Sequence, residues 1–153
     1  MKTLFSAFLI ACLSISGCKK DDFEGALFQC KIDGKEFIAD KDRISVSVSG
    51  GNNYYIQATR LANPLTDDLY GEIKLDIVVD SVGTIQLNAS NTWGWRNNDG
   101  NDFRSNGSDS GTLSITSLDV KGKRVTGTFE LTAYNDNQSS TRSITEGVFD
   151  VSW

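Results

Sequence analysis

The sequence predicts an all-β fold, a single antiparallel β-sandwich or flattened β-barrel of about nine to ten strands. Three observations carry this expectation. Apolar residues recur at every second position through almost every segment beyond residue 26, which is the period of a half-buried strand. The alternating runs are short and separated by clusters of Gly, Asn and Asp, residues that favour tight turns. No stretch shows the 3.6-residue apolar period of an amphipathic helix. A chain of 153 residues has the size of one domain and should bury roughly two-thirds of its unfolded surface.

The elements follow in order. In "FQCKIDGKEFIA", Phe28, Cys30 and Ile32 share a face, Asp33-Gly34 makes a two-residue turn with positive φ, and Phe37 and Ala39 return on the same face. Cys30 reads as a small buried hydrophobe. "ISVSVSG" points Ile44, Val46 and Val48 inward, and "GGNN" turns the chain into "YYIQATRL", where Tyr54 and Tyr55 face opposite sides. "ANPLTDDLYG" is a loop around Pro64, and "EIKLDIVVD" alternates through Ile73, Leu75, Ile77 and Val79. "NTWGWR" sets Trp93 and Trp95 on one face, followed by a long loop of turn-formers over residues 97 to 111.

Three pieces share one form: "GTIQLNA" from Gly83, "GTLSITS" from Gly111 and "GTFELTA" from Gly127. Their unequal spacing excludes a solenoid repeat. Each reads as a strand opening, with glycine for the bend and threonine for β propensity. "DVKGKRV" is a hairpin connection between the last two. In "RSITEGVFDVSW", Phe149, Val151 and Trp153 fall on one face, which stitches the C-terminus into the sheet.

Residues 1–17, "MKTLFSAFLIACLSISG", read as a targeting segment. Lys2 supplies the positive start, and the apolar run is shorter than the roughly 20 residues of a membrane span. The segment ends Ile15-Ser16-Gly17-Cys18, a lipobox pattern. The small residues admit a membrane-embedded peptidase, and the Cys18 thiol is the nucleophile that takes a diacylglyceryl group. One acyl chain binds a bilayer marginally; two or more, palmitate for example, hold it firmly. The expected organisation is therefore a lipoprotein signal peptide (1–17), a lipidated cysteine with a charged tether (18–25) and the β-domain (26–153). Cleavage removes Lys2 and no acid, so the mature chain is more acidic than the net −5 of the whole. That balance argues against nucleic acid, whose phosphates need clustered Lys and Arg.

Function classes narrow by what is missing. The chain has no histidine, which removes the commonest general base near neutral pH, the Ser-His-Asp and Cys-His arrangements, and most zinc or copper sites. No phosphate loop or dinucleotide fingerprint occurs, so neither an enzyme nor a cofactor is expected. Glu72, Asp76, Glu130 and Asp150 are the carboxylates on strands, all at the outward phase, where solvated face charges are the plain reading. Asp99, Asn101, Asp102 and Asp109 offer oxygen ligands suited to calcium, without EF-hand spacing and with Arg104 intruding. Trp93 and Trp95 would form a stacking platform for sugar rings if exposed, and an aromatic core filler if buried. "DSV" at residues 80 to 82 resembles the acceptor for O-glycosylation of exported Bacteroidetes proteins, on Ser81.

Several segments together resemble a family of small Bacteroidetes lipoproteins of unknown function. They are the lipobox with "KKDD", "FQCKIDGKEFIAD" early, "VTGTFELTAYN" late and "ITEGVFDVSW" at the end. The resemblance covers both ends of the mature chain and hardly touches residues 50 to 110. It implies a β-rich domain outside the cytoplasm and carries over no catalytic or ligand residue. Lys19, Lys20, Asp21 and Asp22 also resemble the surface-export signal of such lipoproteins. The expectation is thus a lipid-anchored outer-membrane binding or accessory domain, on the cell surface or the periplasmic face. Its contacts would come from the loops around Pro64 and residues 97 to 110, held on a rigid scaffold. A glycan-binding lipoprotein of a nutrient-uptake system and a lipocalin-like carrier are the alternatives, with a glycan or a protein as the partner beyond the membrane itself.

Overall fold

The computed structural model describes residues 26–61, 69–87, 93–97, 101–105, 110–135, 137 and 139–153, without the side chain of Trp93. The expected signal and tether, and residues 62–68 of the expected Pro64 loop, lie outside the described residues. Among the described residues eleven strands form one antiparallel sheet: β1 (Leu27–Ile32), β2 (Lys35–Ile38), β3 (Ile44–Ser49), β4 (Asn53–Arg60), β5 (Gly71–Val78), β6 (Gly83–Leu87), β7 (Trp93–Asn97), β8 (Asp102–Arg104), β9 (Gly111–Asp119), β10 (Arg124–Asn135) and β11 (Ser140–Ser152). The single short helix among the described residues is a 3-10 turn, Lys41–Arg43.

The main path runs β2-β1-β11-β10-β8-β7-β5-β4-β3. The hub is β10. One edge pairs with β11 along its whole length. The other edge pairs with β9 from Arg124 to Leu131 and touches β8 only at Tyr134, so the sheet forks there; β6 completes the short branch on β9. The sheet curls into a half-barrel, as the right-handed twist of many strands favours. The two ends of this path, β2 and β3, are consecutive in the chain, and polar contacts tie the β2 end to the end of β4, the neighbour of β3. Asp40 N donates to Thr59 O at 2.9 Å, Leu61 N to Asp40 Oδ2 at 2.7 Å, and Arg60 Nη1 to Glu36 O at 2.7 Å.

Local chemistry accounts for the turns. Asp33 (φ 50°) and Gly34 (φ 81°) both take the left-handed region that a two-residue primed hairpin demands. At the β9–β10 hairpin, Asp119 Oδ1 accepts from Gly122 N at 2.8 Å. The alternation seen in the sequence sorts the faces: Phe28, Cys30, Ile32, Phe37, Tyr54, Ile73, Leu75, Ile77, Phe129, Phe149 and Val151 are buried. Tyr55 lies half-buried on the opposite side of β4 from Tyr54. Each fully buried large side chain contributes about 1.5–3 kcal/mol relative to exposure.

Two expectations fail here. Gly127 does not open a strand; it is internal to β10, where a Cβ would stand 2.5 Å from Phe149 Cζ and 2.6 Å from Ser114 O. The glycine makes room for a ring. Residues 97 to 111 are not a continuous loop either, because β8 forms within them and buries Phe103. A single large apolar residue among turn-formers suffices to draw three residues into the sheet.

Candidate functional site

The same alternation that fills the interior writes a polar pattern on the convex side of the sheet. In β5, Ile73, Leu75 and Ile77 point in, leaving Glu72, Lys74 and Asp76 outward. Trp95 and Phe103 point in from β7 and β8, leaving Gly94, Arg96, Asp102 and Arg104 outward. The ladder sets these in rows. One runs Gln57, Lys74, Gly94, Arg104, Tyr134; the next runs Thr59, Glu72, Arg96, Asp102; Tyr55 sits opposite Asp76. The members of these rows on β5, β7 and β8, with Tyr55 of β4, line a groove of about 360 Å³ that ends at Arg104, with Gly94 in its floor.

Its charges are unevenly satisfied. Glu72 takes Lys74 Nζ at 2.5 Å on one oxygen and Gln57 Nε2 at 2.9 Å on the other. Donating to Glu72 pushes the Lys74 pKa up from its ordinary value. Asp102 serves two guanidinium groups at long range, Arg96 Nε at 3.5 Å and Arg104 Nη2 at 3.4 Å. Asp76 has no hydrogen-bond or ion-pair partner among the described residues. Fixed, part-exposed donors and acceptors around a concavity can orient a polar ligand.

The residues singled out from sequence fare differently. Trp95 is 2 % exposed and lies against Phe103, ring centroids 5.2 Å apart. Arg142 caps both rings, its guanidinium 6.0 Å from the Trp95 centroid and 5.3 Å from that of Phe103. As an exposed stacking surface Trp95 is therefore corrected: the inward phase of β7 makes it a core filler. Trp93 pairs with Leu75 in the ladder, and its side chain lies outside the described residues. Of the calcium candidates, Asp99 and Asp109 lie outside them too. Asp102 is engaged by two arginines, and the backbone N of Asn101 donates to Asn97 Oδ1 at 2.9 Å. Among the described residues no three His, Cys, Asp or Glu side chains are grouped to hold a metal.

Ser81 is exposed on the bend between β5 and β6, beside Asp80, which accepts from Asn52 Nδ2 at 2.7 Å. Glu72, Asp76, Glu130 and Asp150 all stand outward, and Asp150 holds Arg124 through two contacts. Cys18 lies outside the described residues. Sequence reasoning missed Tyr55, Lys74, Gly94, Arg96 and Arg104 as one group. The visible signal was a glycine between two tryptophans at an outward phase; the register that sets it between Lys74 and Arg104 was not.

The fold and groove define an all-β half-barrel domain with a charged polar concavity on its outer face. The chain belongs to the family described as Domain of unknown function (DUF6252), whose model matches residues 24–151, from just before β1 to one residue short of the end of β11. No curated protein and no solved structure matches it.

Proposed function

We propose that this protein is a non-catalytic, lipid-anchored binding or accessory domain of a Bacteroidetes outer membrane, displayed at the cell surface. The observation that carries the reading is the Ile15-Ser16-Gly17-Cys18 junction followed at once by Lys19, Lys20, Asp21 and Asp22. Acyl chains on Cys18 hold the domain, and the charged segment gives it reach. The ladder supports this arrangement. Leu27 enters opposite Asp150, which pairs with Thr126 near the foot of β10. Near its head, Tyr134 leads across to Arg104, Gly94 and Lys74, and Arg60, Gly71 and Asn97, which bound the favoured binding segments, share that end. Eight residues of strand separate Thr126 from Tyr134, about 27 Å at the usual rise. The anchored end and the ligand-facing end are thus apart.

Mass spectrometry of the mature N-terminus should find fatty acids on Cys18, and Cys18→Ser protein should leave the envelope fraction. Added protease should degrade the protein on whole cells; protection there would move it to the periplasmic face. A second reading, glycan binding, draws its support from the groove rather than from the tryptophans. The carrier reading has none: Phe28, Phe129 and Phe149 fill the interior, with centroids 5.2 and 6.4 Å apart along the chain of rings.

A further inference from the structure

Gly94 is a glycine that neither backbone nor packing requires. Its φ lies outside the left-handed region, and a Cβ there would meet Phe103 O at 3.4 Å and Arg104 Cγ at 4.0 Å, ordinary contact distances. Glycine inside a strand weakens it, and such a position often marks a close approach by another group. What surrounds the gap is ordered charge. Lys74 and Arg104 flank Gly94 across the ladder, one strand spacing of about 4.8 Å away on each side. Arg96 is the next outward residue along β7. In the adjoining row the signs alternate through Glu72, Arg96 and Asp102, and on the other side stands Asp76. An acid at position 94 would complete a checkerboard; glycine leaves that square empty.

We propose that the square over Gly94 takes the carboxylate of an acidic saccharide, held by Lys74, Arg96 and Arg104. Both arginines have donors to spare. Each guanidinium carries five N–H groups, their contacts with Asp102 are long, and their side chains are 57 % and 67 % exposed. The Asp76 carboxylate, without a partner among the described residues, and the Tyr55 hydroxyl at the other end of the groove suit sugar hydroxyls, which donate and accept. Asp76 also disfavours an acidic peptide, whose further carboxylates it repels. The volume, about 360 Å³, falls at the lower end of the range for small-molecule sites, roughly 300–1,000 Å³.

This inference names a ligand for the display reading, and the two fail separately. Binding is measured on the full chain in detergent, so the outcome does not depend on where Cys18 is held. Calorimetry at low salt uses a disaccharide of one uronic acid and one neutral hexose, its carboxyl-reduced form, and triglutamate. The acidic disaccharide should bind, the reduced form at least tenfold more weakly. Arg104→Ala and Lys74→Ala should each raise Kd at least tenfold. Gly94→Asp should abolish binding while melting above the isosteric Gly94→Asn, because its carboxylate occupies the square from within. Absence of binding by the acidic disaccharide, equal binding of its reduced form, preference for triglutamate, or an unchanged Kd in Gly94→Asp would each overturn the proposal.

Discussion

Tyr54 and Trp153 meet edge to face within the curl, ring centroids 5.1 Å apart and planes at 82°. One belongs to β4 and the other follows β11, with four strands between them along the sheet path. The contact therefore crosses the interior, and Trp153 N donating to Lys123 O at 3.1 Å fixes its backbone. Trp153→Ala should lower stability by roughly 1–3 kcal/mol, below the range for a fully buried tryptophan because the side chain is half-buried. Urea denaturation checks this, with an unchanged m-value showing that the rest of the fold persists.

Two glycines at non-terminal strand positions should behave oppositely. Gly127→Ala drives a methyl group into Phe149 Cζ and Ser114 O, and overpacking of this kind costs about 1–3 kcal/mol. Gly94→Ala meets only ordinary contacts and should stabilise by up to about 1 kcal/mol through lost chain entropy. Parallel thermal melts of the two variants read the contrast directly.

Burial makes the Cys30 thiol a pH-dependent element. Desolvation pushes its pKa from 9.0 up to about 12, so between those values the unfolded chain has lost a proton that the folded chain keeps. Stability from this group is complete below pH 9 and falls as pH rises toward 12, by at most roughly 1.4 kcal/mol per unit. In urea midpoints across that window, Cys30→Ala should show a shallower alkaline decline than the parent. Labelling by a thiol reagent at pH 8 should be slow until denaturant is added.

Arg142 spans three partners, the faces of Trp95 and Phe103 and the Asp33 carboxylate at 2.6 Å. Arg142→Ala should cost about 1–2 kcal/mol and change the fluorescence of the buried indole. Arg142→Lys should restore only part of both, since a compact ammonium cannot lie flat on two rings while gripping a carboxylate.

Much of this architecture could be read from residue order alone. Period-two alternation found the strands through Phe28, Tyr54, Leu75 and Phe149, and Asp33-Gly34 announced its turn because few residues take positive φ cheaply. Gly127 misled because its role lies in space: the ring it accommodates is Phe149, twenty-two residues later. The short β8 escaped notice because three residues carry no period. The groove was hidden for a related reason. Lys74, Gly94 and Arg104 are neighbours only through ladder pairing, and pairing partners are set by the register of whole strands, which local patterns do not encode.

The sheet joins the first strand to the last, since β1 is held between β2 and β11. Leu27 therefore has to wait for Asp150 before its ladder exists. Such a high contact order slows folding, and it means that no early-synthesised portion can close the structure by itself. Delivered from its N-terminus through a narrow passage, the polypeptide would stay open and pliable until β11 had emerged, then zip shut in one cooperative act.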